Sequence, residues 1–97
     1  MGEKIVRHVE AGVKPRLPRG VRLKHDEIRG EWVLLAPERV LKLNPVSVEI
    51  LKRCTGLASL AEIVDDLAGA FAAPRDRIEA DVDAMVADLV RKRLMAL

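Results

Sequence analysis

Residues 21–45 read VRLKHDEIRGEWVLLAPERVLKLNP, and a change of period inside this stretch decides the fold. Val21, Leu23 and His25 alternate with Arg22, Lys24 and Asp26, the two-residue repeat of a half-buried strand. Glu27 to Gly30 supplies a turn, with Gly30 free to take a positive φ. Glu31 to Leu35 is a short second strand, rich in Trp, Val and Leu, which Ala36-Pro37-Glu38 breaks. Arg39 to Leu43 is a third, with Leu41 and Leu43 on one face and Val40 and Lys42 on the other. Short turns make the three an antiparallel meander whose last strand is an edge.

At Asn44-Pro45 the period becomes helical, with Asn as N-cap and Pro in the first helical position. Val46, Ile50, Leu51 and Cys54 form the expected buried stripe of helix 1, which Thr55-Gly56 ends. Ser59-Leu60-Ala61-Glu62 is a capping box opening helix 2. Its apolar set is Leu60, Ile63, Val64, Leu67 and Phe71, and Ala72-Ala73-Pro74 closes it. Helix 3 begins near Asp76 and carries Ile78, Val82, Met85, Val86 and Leu89 on one face. Its first turns are acidic and its last is Arg91-Lys92-Arg93, the charge order its dipole prefers. The expected fold is α+β, order βββααα: a winged-helix-like, three-stranded antiparallel sheet followed by a three-helix bundle.

Upstream of the sheet, Lys14, Arg16, Arg19, Arg22 and Lys24 lie in a stretch without acids, and Pro15 and Pro18 keep it extended. Before it there is no sustained periodicity. Residues 1–14 therefore read as a tail or linker and residues 15–97 as the domain.

Composition narrows the function classes. The 97 residues suffice for one domain, and a net charge of +2 is too mild to argue for nucleic acid or membrane. One cysteine excludes a disulfide scaffold and favours a reducing, cytoplasmic setting. No uncharged run approaches the ~20 residues a membrane-spanning helix needs. Trp32 and Phe71 are the only aromatic residues, which argues against a base-stacking platform.

Catalysis finds little support. His8, His25 and Cys54 are scattered over a tail, a strand and a helix, without metal-ligand spacing or a nucleophile–base grouping. Asp65-Asp66 are helix neighbours about 100° apart, which reads as a solvated face rather than an acid/base pair. No enzyme, metal or cofactor is expected. The alternative is a winged-helix DNA-binding transcriptional regulator, which needs cations on its recognition helix. Helix 2 has none, and helix 3 is acidic until its last turn. Residues 1–44 hold 10 cations to 6 anions and residues 45–97 hold 7 to 9, so positive charge lies on the sheet half. There remains the edge strand, a template for a strand from another chain unless it is capped or self-paired.

Two runs carry a resemblance: Pro15-Arg16-Leu17-Pro18-Arg19-Gly20-Val21-Arg22-Leu23, and, after Asp26, Arg29-Gly30-Glu31-Trp32-Val33-Leu34-Leu35-Ala36-Pro37-Glu38-Arg39. With Ile50-Leu51, Cys54, Ala61-Glu62-Ile63-Val64, Ala73-Pro74-Arg75, Asp81-Val82 and Leu89, they resemble the PqqD family of pyrroloquinoline quinone biosynthesis. The resemblance implies a peptide chaperone and recognition element for ribosomally made, modified peptides. Such a protein binds the precursor peptide PqqA and presents it to PqqE, a radical SAM enzyme that owns the iron–sulfur clusters and SAM. The peptide adds as a strand along the third strand and packs on helix 3. Carried onto this sequence, those are Arg39, Val40, Leu41, Lys42 and Leu43 with Val82, Met85, Val86 and Leu89. Some relatives are fused to PqqC, which makes residues 1–14 a candidate linker remnant. An exposed strand and a loose arm suit either a monomer or a domain-swapped dimer.

Overall fold

The computed structural model describes residues 10–97, so His8 and the rest of 1–9 lie outside it. The element order is β1 (Arg22–Asp26), β2 (Glu31–Ala36), β3 (Arg39–Lys42), α1 (Pro45–Lys52), α2 (Leu60–Phe71) and α3 (Arg75–Arg91). The sheet is antiparallel in the order β1-β2-β3, so the expected βββααα meander and helices form. Gly30 takes φ +69° in the first turn, as expected.

Register assigns each strand residue a face. Leu23, Leu34 and Leu41 stand in one cross-strand row, and Leu34, almost wholly buried, is where the sheet meets the helices. From the helical side come Ile50 and Leu51 of α1, Ile63, Val64 and Leu67 of α2, and Val82 and Val86 of α3. His25 and Trp32 share the inner face, with ring centroids 5.0 Å apart.

Helix starts follow the local chemistry. The Asn44 side chain accepts from the Ser47 N–H at 2.8 Å, and Pro45 follows. Ser59 Oγ accepts from the Glu62 N–H at 3.1 Å while Glu62 Oε1 accepts from the Ser59 N–H at 2.8 Å, completing the capping box. Two more N–H groups of the α2 first turn are satisfied from far away. Leu60 donates to the Val13 carbonyl at 2.8 Å and Ala61 to the Ala11 carbonyl at 3.1 Å.

Ala11 and Val13, in the stretch before the basic entry, thus lend their carbonyls to the start of α2. Next to it, Arg16 exchanges two backbone bonds with Ala96, each 2.9 Å. Arg93, at φ +64°, turns the chain after α3 and sends Leu94 and Met95 into the core.

Two expectations need correcting. Val46 is 41% exposed, and Val48 takes its place in the core, three residues before Leu51 on the same face. Phe71 is 40% exposed, since α2 ends there and Ala72 turns left-handed at φ 51°. Helix 3 starts one residue before Asp76, at Arg75.

Candidate functional site

Among the described residues β3 has one neighbour, which leaves one side of its backbone open. In an antiparallel pair, opposed residues alternate between exchanging both N–H···O bonds and exchanging neither. The Leu43 N–H donates to the Trp32 carbonyl at 3.1 Å, which sets the phase. Leu41 and Arg39, opposite Leu34 and Ala36, therefore also turn their amides toward β2. Val40 and Lys42 turn N–H and C=O outward. The free side thus presents two donors and two acceptors, the pattern a further strand would complete.

Side chains divide by face. Leu41 and Leu43 are half-buried against the core, Val40 and Lys42 are exposed on the opposite face, and Arg39 is exposed at the start of the Leu41 face. Past the end of β3, Asn44 leads into a groove of about 460 Å³ between α1 and α3. Val46 and Ser47 line one wall, Asp81, Ala84, Met85 and Asp88 the other, and Ile50 contributes from below. Asp88 is held ionised by Lys92, 2.9 Å away, whose hydrogen bond lowers its pKa.

The helix 3 residues expected at the site separate. Met85 is half-buried on the groove wall. Val82, Val86 and Leu89 are 1%, 0% and 4% exposed and belong to the core, so they support the wall from behind. The groove-facing stripe is Asp81, Ala84, Met85 and Asp88, one flank over from the apolar stripe. Its i, i+3, i+4, i+7 spacing was available in the sequence but mixes acids with small residues. Val46, expected in the core, lines the opposite wall.

The other reactive side chains serve structure. Burial pushes the Cys54 thiol up to about 12, and the thiol donates to the Ile50 carbonyl at 3.3 Å. Asp65 pairs with Arg75 and Asp66 with Arg53, so the two carboxylates tie α2 to different neighbours. Among the described residues no His, Cys, Asp and Glu cluster could hold a metal, and no helix is long and apolar enough to cross a membrane.

Residues 31–95 match the family model described as coenzyme PQQ synthesis protein D (PqqD). A PqqA binding protein of Bradyrhizobium diazoefficiens is 48% identical over 84 residues, covering 87% of this chain and 82% of that one. One of Xanthomonas oryzae pv. oryzae is also 48% identical over 84 residues, covering 87% and 91%. Those names describe binding rather than catalysis. The solution structure of the PqqD truncation of Methylobacterium extorquens PqqCD, a stand-alone RiPP recognition element, superposes with a TM-score of 0.74. It is 43% identical, with 86% of this chain and 88% of that one covered. PqqD from Xanthomonas campestris gives 0.59 at 46% identity, over 84% and 90%. These matches do not favour the DNA-binding alternative, and with the βββααα fold they make this chain a member of the PqqD family.

Proposed function

We propose that this chain binds the precursor peptide PqqA as a fourth strand along β3 and presents it to the radical SAM enzyme PqqE. The observation that carries the reading is the free side of β3, where Val40 and Lys42 direct their backbone groups outward. Strand pairing supplies affinity, and side chains of the peptide seat in the groove beside Val46 and Met85. Val82, Val86 and Leu89 set the position of that wall without touching the peptide. The chain itself contributes no chemistry: it orders a peptide for an enzyme that brings its own clusters. A cytoplasmic location and an association with a PqqC partner belong to the same reading.

Strand addition with a few side-chain seats corresponds to micromolar affinity or better, about −8 kcal/mol or stronger. Titrating isotope-labelled protein with PqqA tests it. Amide signals of Val40 and Lys42 should shift and gain protection from exchange, while those of β1 stay in place. No shift and no heat at high peptide concentration would refute the reading. Retention on duplex DNA with a steep salt slope would instead support the regulator.

A further inference from the structure

The groove between α1 and α3 combines an apolar trough with charge of one sign. Val46, Ile50, Ala84 and Met85 supply the apolar surface, and the charged residues that line it are Asp81 and Asp88. The two carboxylates differ. Asp88 already holds Lys92 at 2.9 Å and Arg91 at 3.2 Å, which offsets its charge on the spot. Asp81 is exposed and forms no ion pair with any described residue, Arg77 one turn earlier on α3 included. Asp65 and Asp66 of α2, by contrast, are tied to Arg75 and Arg53. Asp81 stands one helical turn from Met85 on the same flank, about 6 Å along the axis.

The open edge leads into this trough. Leu41 and Leu43 of the β3 end turn toward the core, so residues of an added strand that lie opposite them turn the same way. Asn44, the next residue after Leu43, already lines the groove. The peptide side chain beside Leu43 is therefore the one that enters it.

Three kinds of side chain compete for that place. An apolar one would fill the trough but strip water from Asp81 without giving it a partner. An acidic one would meet two carboxylates, and the start of α1 offers it little. There the Ser47 N–H is taken by the Asn44 side chain at 2.8 Å and the Val48 N–H by the Asn44 carbonyl at 3.1 Å. A long basic one satisfies both features, its methylene stem on the apolar walls and its charge on the carboxylate. We infer that the groove takes a lysine or arginine of the bound peptide, with its stem on Val46 and Met85 and its cation on Asp81; this rests on the strand-addition reading above. Asp81 is then a specificity-determining residue. The stem makes most of the contact, so an acid in place of Val46 or Met85 loses more than its charge returns.

PqqA is the probe for the test. Each of its lysines and arginines is changed singly to methionine, which keeps an apolar stem and removes the charge. Every peptide is titrated against the unaltered protein and against Asp81→Asn. One cationic position should lose about threefold or more in affinity for the unaltered protein and nothing further for Asp81→Asn, the mark of a direct pair. Glutamate at that position should bind Asp81→Lys more tightly than it binds the unaltered protein. Asp76→Asn makes the same charge change in the first turn of α3, outside the groove, and should leave affinity within about twofold. Asp81 is exposed, so its variants should fold, and thermal melts check this. If no cationic position couples to Asp81, or if Asp81→Asn and Asp76→Asn weaken all peptides alike, the inference falls while strand addition stands. Failure of the unaltered protein to bind PqqA overturns both. Self-association abolished by Asp81→Asn would assign the groove to a second copy of this chain and overturn it.

Discussion

The backbone N–H of Leu43 donates to the carbonyl of Trp32 at 3.1 Å, and this bond sets which way each amide of β3 points. Because the alternation is strict, Leu41 belongs to the ladder while Val40 and Lys42 belong to whatever pairs with the edge.

Proline substitutions read that assignment directly. Leu41→Pro removes a ladder bond, about 1 kcal/mol for the bond with backbone strain added, and should melt well below the unaltered protein. Val40→Pro and Lys42→Pro remove donors that face outward, and should stay folded while losing PqqA affinity. Thermal melts paired with peptide titrations check both. Normal folding and binding by all three would exclude strand addition at this edge.

Groove and core separate on α3. Met85→Asp and Val46→Asp place a charge on the groove walls and should cost tenfold or more in PqqA affinity, about 1.4 kcal/mol, with the fold intact. Val86→Asp puts the same charge where the side chain is fully buried and should prevent folding. Circular dichroism beside calorimetry distinguishes the two kinds of loss.

Leu34 joins sheet to helices. Truncation to alanine should cost about 2–5 kcal/mol, because the rows around it collapse only in part. Denaturant melts should show a lower midpoint at an unchanged slope.

Acid should destabilise the fold in a defined window. The Arg53 hydrogen bond holds Glu49 below its ordinary 4.5, the Ser59 backbone N–H does the same for Glu62, and Lys92 holds Asp88 below 3.8. A depressed folded-state pKa gives stability that is present above the unfolded value and lost as pH falls through the folded one. The Tm should therefore hold steady down to about pH 5 and drop below it. Glu62→Gln should flatten part of that drop, as thermal melts between pH 7 and 3 would show.

Cys54 offers a readout of global opening. With its thiol buried and its pKa pushed up to about 12, it should resist a thiol reagent at pH 8 in the native protein. It should react at once in denaturant. Fast native labelling would contradict the burial.

Much of this architecture is written locally. The alternation from Val21 to Leu43 and the pairs Asn44-Pro45 and Ser59–Glu62 each carry their own structural instruction within a few residues, and each element forms where they place it. What local pattern misses depends on distant partners. Val46 and Val48 are equally apolar, and only the positions of α3 and the sheet decide which one is covered. Phe71 fits the helical repeat, but the helix stops at it. On helix 3 the apolar stripe marks the core, so the side chains that face the groove are found one flank over, among acids and an alanine. Residues 11–14 look featureless because their role is to lend carbonyls to a helix start far along the chain.

The exchange of bonds between Arg16 and Ala96 has a bearing on how such a domain is made. During synthesis the sheet can assemble as soon as its three strands leave the ribosome, since their contacts are local. The seam with Arg16 cannot close until residue 96 has emerged. The open edge of β3 would therefore be exposed on the nascent chain before the domain is sealed, and exposed charges such as Arg39 and Lys42, one on each face of the strand, disfavour pairing of such an edge with other chains.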